Sequence, residues 1–351
     1  MALIRLFLIW GISFSNVCNN FFIRLRCWSA VPQTVKDELA RLLRSPVVRA
    51  DRAYGGYAPS ATYRVRLRNG RRLFLKGTYP LPAGSAVRWM LEPEERVYQE
   101  CERFIRPWAP RYFGRVRADG WHFIVLEDVG PDTMPPWTVA KTVASARSYA
   151  EFHRSTGGTA LPRWLPRTEH HEFAGFWDAL ANGDLDRTAS LAGRRAAEAG
   201  EWLDVALPVL RAQSALLFKV RPPFVFMHFD TRSDNIRLHG RRLRLFDWNF
   251  AAVGPHEFEL AAFAQAIAME GGPAPERVVA EYERVLPVRS AALDASIAAI
   301  AGYFADRAWR PAQAGLPRIR QVQRRQLKAT LAWAARRFEL PEPHWLAAIP
   351  D

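Results

Sequence analysis

Apolar and polar residues alternate in short stretches between residues 47 and 127, and beyond that they recur mainly at helical spacing. Val35, Leu39, Leu42 and Leu43 give a helix over 33–46 one apolar side, and Val47-Val48 opens a first strand. Tyr63-Arg64-Val65-Arg66-Leu67 alternates as a half-buried strand does. Asn69-Gly70 is a two-residue hairpin signal, and Arg72-Leu73-Phe74-Leu75-Lys76 returns from it. The turn from Tyr54 to Thr62 contains Gly55, Gly56 and Ser60. Pro93 fits the first turn of a second helix. There Glu94, Val97, Tyr98 and Cys101 fall at i, i+3, i+4 and i+7, so Glu94 lies on the buried stripe and Glu95 on a more polar face. Trp121 to Leu126 is an apolar strand that runs into Glu127-Asp128-Val129-Gly130. Val139, Val143, Ala146, Ala150 and His153 then keep helical spacing, with His153 read as a core residue. Two helical stretches surround a polar turn at 181–186, and three more are expected over about 275–286, 289–309 and 316–338. Arg318, Arg320, Arg324, Arg325 and Lys328 read as the solvated side of the last.

The densest chemistry lies in 224–250. An apolar run, Phe224 to Met227, ends in His228-Phe229-Asp230; Asn235 follows, and a second apolar run, Leu243 to Phe246, ends in Asp247-Trp248. With a polar turn at His239-Gly240 between the runs, Asp230, Asn235 and Asp247 are expected at the ends of adjacent short strands. Phosphoryl transfer needs a hydroxyl oriented for in-line attack and Mg²⁺ to neutralise the triphosphate. Magnesium takes a few oxygen ligands and otherwise keeps water or phosphate oxygens. Asp230 can take the hydroxyl proton, and Asn235 and Asp247 can hold the metal.

His228-x-Asp230-x-x-x-x-Asn235 followed by Asp247-Trp248 resembles the catalytic and metal loops of the aminoglycoside phosphotransferase and choline kinase-like family. The resemblance implies an α+β, bilobal protein-kinase-like fold, with a small antiparallel-sheet N-lobe over 30–127 and a mostly helical C-lobe over 128–351. It implies a catalytic loop of His228, Asp230 and Arg232, with Arg232 in the place of a Lys that touches the γ-phosphate. It also implies that Gly55, Gly56 and Ser60 form a phosphate flap and that Lys76, held by Glu94, binds the α- and β-phosphates of ATP. Backbone atoms of Glu127 and Val129 would meet the adenine. Phe229 stands where the family usually has Gly, a mild departure, and Glu259 where an Asp usually braces the catalytic loop.

Composition changes this picture in three places. The chain has 351 residues, enough for two lobes, and its three cysteines make no disulfide framework, which favours a reducing compartment. Lys76 is one of five lysines in a chain with 49 Lys and Arg residues, so a compact ammonium is wanted there. The net charge of +14 raises a nucleic-acid partner, but the cations are scattered and no nucleic-acid motif accompanies them, so none is expected. A polycationic acceptor is disfavoured on the same ground. Residues 1–29 differ in composition and carry a short apolar run after Arg5. They read as a start assigned too far upstream or as a disordered tail, and a membrane is expected only if they are translated and act as an anchor. The expectation is therefore a cytoplasmic, ATP- and Mg²⁺-dependent phosphotransferase acting on a small-molecule hydroxyl. A nucleotide-binding pseudokinase and a basic nucleic-acid-binding protein are the alternatives, and the sequence says nothing of oligomeric state.

Overall fold

The computed structural model describes residues 27–53, 60–80, 86–168, 172–312 and 318–351. Helix α1, Gln33–Leu43, buries Val35, Leu39 and Leu43 and ends at Arg44 in the left-handed conformation. Strands β1 (Val47–Arg52), β2 (Ala61–Leu67) and β3 (Arg72–Thr78) follow. Residues 54–59 fall outside the described residues, and Gly55 and Gly56, expected in the phosphate flap, lie among them. The β2–β3 loop has three residues rather than two. Leu67 N–H bonds the Arg71 carbonyl, and Gly70 sits at φ +85°, the left-handed position that such a loop reserves for glycine.

Helix α2, Ala86–Glu100, starts well before Pro93 and runs through it. The expectation that Pro93 opens the helix is therefore wrong: the lost N–H bond is outweighed by the tertiary contacts on either side. Strands β4 (Tyr112–Ala118) and β5 (Trp121–Glu127) complete an antiparallel sheet of order β1-β2-β3-β5-β4.

β5 divides two cores through its period of two. Trp121, Phe123 and Val125 join α1 and the outer face of β2 and β3, whereas Ile124 and Leu126 join α2 and the helical body. This explains why a strand buried along nearly its whole length reads as a continuous apolar run. On β3 the same rule sends Leu73 and Leu75 outward to α1 and sends Phe74 inward.

The rest is mostly helical. α3 (Val139–Thr156) is capped by the Thr138 hydroxyl, and α4 (Ala196–Ala215) follows two short helices over 176–190. Two separate strand pairs stand where one was expected. β6 (Val225–Met227) pairs with β9 (Ala252–Gly254), while β7 (Ile236–His239) and β8 (Arg242–Leu245) form a separate hairpin around Gly240. Asp230 and Asp247 thus follow strands of two different ladders, not neighbours in one. α5 (His256–Met269), α6 (Pro275–Glu283), α7 (Ser290–Ala308) and α8 (Ile319–Arg337) close the chain.

The basic side of α8 is not simply solvated. Arg320 and Arg324 donate to the Arg307 and Ala308 carbonyls at the end of α7, and Arg325 to the Met269 carbonyl at the end of α5. Cations placed on unsatisfied C-terminal carbonyls stabilise those helix ends. No helix among the described residues is long and apolar enough to cross a membrane.

Candidate active site

Lys76 lies on the inward face of β3, where the strand's alternation aims it at α2. Its ammonium meets Glu94 Oε2 at 2.5 Å and Asp247 Oδ1 at 2.9 Å. Glu94 is fully buried, so the run Glu92 to Glu95 is not a solvated charge cluster. Burial works against the ammonium, but the Asp247 and Glu94 carboxylates outweigh it and hold Lys76 above the usual lysine range. Two carboxylates, Glu94 fully buried and Asp247 partly buried, share one cation. Burial would raise the Asp247 carboxyl, but the Lys76 charge overrides it and the group titrates below its usual value; burial pushes Glu94 up.

Glu95 is as buried as Glu94 but points the other way. It takes Arg115 at 2.6 Å, Arg117 at 2.9 Å and His122 at 2.8 Å. Consecutive glutamates thus bind α2 to the lysine on β3, to two arginines on β4 and to the His122 imidazole on β5. The polar face assigned to Glu95 is a face buried against the sheet. Arg115 and Arg117 at strand spacing, with His122 opposite Arg117, were the signal for it.

The catalytic-loop residues cluster tightly. Asp230 accepts from Arg232 Nε at 2.9 Å and Nη2 at 3.2 Å, and its Oδ2 accepts from Asn235 Nδ2 at 2.9 Å. Asn235 Nδ2 also donates to the Asp230 carbonyl at 3.0 Å, which leaves Oδ1 as the atom for a cation. Arg232 lies 3.5 Å from Asp234 as well. Burial pushes the Asp234 carboxyl up to about 6 against the pull of Arg232, and the Asp230, Asp247 and Glu270 carboxylates add to the rise. Asp234 was not singled out in the sequence.

His228 belongs with the framework rather than with the reacting groups. It is fully buried, and its Nδ1 accepts the Asp230 N–H at 3.2 Å. Its Nε2 is therefore the protonated nitrogen and donates to the Phe246 carbonyl at 2.9 Å. It ties the strand before Asp230 to the strand before Asp247. Glu259 braces the loop from α5, accepting from the backbone N–H groups of His228, at 3.1 Å, and Phe229. His153 is a satisfied core residue, as expected: its nitrogens face Glu259 at 2.8 Å and the Tyr282 hydroxyl at 2.6 Å.

Phe229 has φ +68°. A side chain in the left-handed region costs roughly 1–2 kcal/mol, which is why glycine is usual there. The departure is not mild.

At the strand end after β5, the Glu127 N–H is bonded to the Arg111 carbonyl and the Val129 carbonyl accepts from His239 at 2.7 Å. Arg64 of β2 reaches Asp128 at 3.3 Å and also bonds the Gly130 carbonyl. This segment is therefore held from both the sheet and the β7–β8 hairpin. Ser60 sits at the start of β2 with its carbonyl bonded to Arg52. Among the described residues no group of three His, Cys, Asp or Glu side chains converges as a closed metal site would.

A Lys–Glu pair between an antiparallel sheet and a helix, set over a loop carrying Asp230 and Asn235 and a second Asp at 247, defines a phosphotransferase of protein-kinase-like fold. Comparison with known proteins agrees. An aminoglycoside phosphotransferase from Alicyclobacillus acidocaldarius is 18% identical, with a TM-score of 0.54 over 88% of this chain and 96% of that one. An amicoumacin kinase solved with AMP-PNP and Ca²⁺ is 12% identical, with a TM-score of 0.54 over 88% and 95%. An ADP-bound aminoglycoside phosphotransferase is 13% identical, with a TM-score of 0.52 over 88% and 99%. No curated protein matches the sequence. The chain belongs to the phosphotransferase enzyme family, which it matches over residues 52–293. Its class is that of small-molecule phosphotransferases with a hydroxyl acceptor.

Proposed function

We propose that the protein is an ATP- and Mg²⁺-dependent kinase of a small hydroxyl compound, with Asp230 as general base. One observation carries the reading: Lys76 is shared by Glu94 and Asp247 beside the Asp230–Asn235 pair. That arrangement sets two carboxylates against one ammonium, and the Asp234 carboxyl nearby is raised, chiefly by burial and further by the Asp230 and Asp247 charges. The donor set fits a hard divalent cation. Asn235 Oδ1 and the Asp247 carboxylate would hold the magnesium, which supplies charge neutralisation along the triphosphate.

The chain's own groups do the rest. Lys76 binds the α- and β-phosphates while Glu94 fixes its position. The segment from Glu127 to Val129 meets the adenine through its backbone, and Ser60, with Gly55 and Gly56, belongs to the phosphate flap. Asp230 accepts the acceptor's proton and orients its oxygen in line with the γ-phosphoryl group. Arg232 can exchange Asp230 for the transferring oxygens, as charge builds there. His228 positions the loop and touches no substrate. None of Lys76, Asp230, Asn235 and Asp247 is missing, which weighs against a pseudokinase. The acceptor is neutral or anionic rather than polycationic, since Arg232 stands beside the base. The cytoplasm, where ATP is available, is the compartment in which this activity fits.

The test is an ATP-consumption screen over antibiotics, amino alcohols, sugars and nucleosides, repeated with Asp230→Asn on the best acceptor. Turnover is expected to fall by about 10²–10⁴ with Mg·ATP affinity kept within a few fold. Near-normal turnover in the variant would remove Asp230 from the role of base.

A further inference from the structure

Phe229, the residue that precedes Asp230, belongs to a chain of five aromatic rings. Phe229 stacks on Phe258 with centroids 5.5 Å apart, and Phe173 meets Phe229 edge-on at 5.6 Å. Phe173 continues to Tyr303 at 5.3 Å and to Phe176 at 6.0 Å. Phe258 is buried, but Phe173, Phe176, Phe229 and Tyr303 are only half-buried, so the rings form a wall and not a sealed core. The Phe229 ring is there at the expense of a strained backbone.

The far end of the wall is cationic. The Arg307 guanidinium lies 5.4 Å from the Phe176 ring centre and 5.7 Å from that of Tyr303. Arg307 is only 5% exposed, yet its Nε has no hydrogen-bond partner. Its Nη1 is 2.9 Å from Asp306 Oδ2, while Asp306 Oδ1 is taken by Arg310 at 2.7 Å. Arg320 approaches the same group, donating to the Arg307 carbonyl at 3.3 Å. Among the described residues two guanidiniums therefore share the Asp306 carboxylate, with a third, Arg320, on the adjoining backbone carbonyl. Burial and the Arg307 and Arg310 charges depress the Arg320 guanidinium. Burial raises the Tyr303 phenol, which Arg307 pulls down and Asp230 pushes up.

We propose that the acceptor is a hydroxyl compound with a flat aromatic body and an anionic group, the body lying on Phe173, Phe229 and Tyr303 and the anion meeting Arg307. This rests on the kinase reading above and names the substrate class for that site. Aromatic rings favour offset or edge contacts with another ring, and a guanidinium bonds a carboxylate through two parallel N–H groups. The acceptor's O–H proton passes to Asp230, its oxygen forms the new P–O bond, and the bond between the γ-phosphorus and the β-bridging oxygen breaks. ADP leaves with that electron pair.

The test uses the full chain with Mg·AMP-PNP and three matched probes, titrated by calorimetry: para-(hydroxymethyl)benzoate, its neutral amide and para-(aminomethyl)benzyl alcohol. The benzoate is expected to bind about tenfold more tightly than the amide, and the amine least. Arg307→Gln should erase that preference. Phe229→Gly relieves the backbone strain, so it should melt cooperatively and still bind nucleotide, while losing affinity for all three aromatic probes. Equal affinity for the three probes, a preference for the amine, no measurable binding of the benzoate, or benzoate binding unchanged in both variants would overturn the proposal. Failure of the kinase reading has a separate sign: wild-type protein that does not bind Mg·AMP-PNP.

Discussion

Asp247 and Phe229 are two non-glycine residues held at φ near +70° on either side of the site. Asp247 can be placed there because a short polar side chain tolerates the left-handed region. Its carboxylate then meets Lys76 and accepts from Asn249. Asp247→Ala is expected to lose Mg²⁺-dependent nucleotide binding while keeping weak, metal-independent binding, as calorimetry with Mg·ATP and with metal-free ATP will show. Equal binding of Mg·ATP by both proteins would count against Asp247 as a ligand. These residues were legible because phosphoryl transfer constrains their type and spacing together. The role of His228 was not, since a motif gives adjacency and not the direction in which a ring nitrogen points. Phe229 was misjudged for a related reason: nothing in the sequence prints a dihedral angle.

At the scale of elements, α2 is the piece on which the site depends. Its buried glutamates face opposite ways, Glu94 to Lys76 and Glu95 to Arg115, Arg117 and His122. Both arginines are nearly half exposed, so water weakens these pairs. Removing the carboxylate still leaves two guanidiniums without their acceptor. Glu95→Ala should cost about 1–3 kcal/mol. It should also weaken Mg·ATP binding several-fold, because α2 sets where Glu94 stands. Thermal melting and nucleotide titration of the variant check both parts, and unchanged nucleotide affinity would separate Glu95 from the site. The helical stripe of Glu94, Val97, Tyr98 and Cys101 was readable from spacing. The start of α2 was not, since Pro93 carries a strong local preference that packing overrode. β6 and β9 were missed as a pair because three-residue strands have too little alternation to register.

Over the whole molecule, acid stability turns on a buried histidine. His256 lies against the Tyr282 hydroxyl, and burial lowers its imidazole to about 4, against the pull of Glu257. The unfolded chain takes up this proton near pH 6.5, the folded one only near 4. Stability from this residue is thus complete above 6.5 and is lost as pH falls through that window, by about 3 kcal/mol at most. Melting curves from pH 7.5 to 4.5 should show a smaller acid loss in His256→Phe than in the wild type, and parallel losses would exclude the residue. The fold class was legible at this scale from the order of strand-like and helix-like stretches. The use made of the charge was not. A run of arginines on α8 looks like a wet face until the helix ends it caps are in view.

The division of the core by β5 has a consequence for control. Leu91, Val97 and Tyr98 of α2, with Cys101 just after it, belong to the same apolar cluster as the large helices, while the outer face of the sheet packs separately with α1. The helix is also seated on the turn Trp248–Phe250, immediately after Asp247. A helix anchored in the larger body cannot swing away and carry Glu94 from Lys76 without opening that body. The pair is assembled whenever the chain is folded, so no on–off switch operates at this joint.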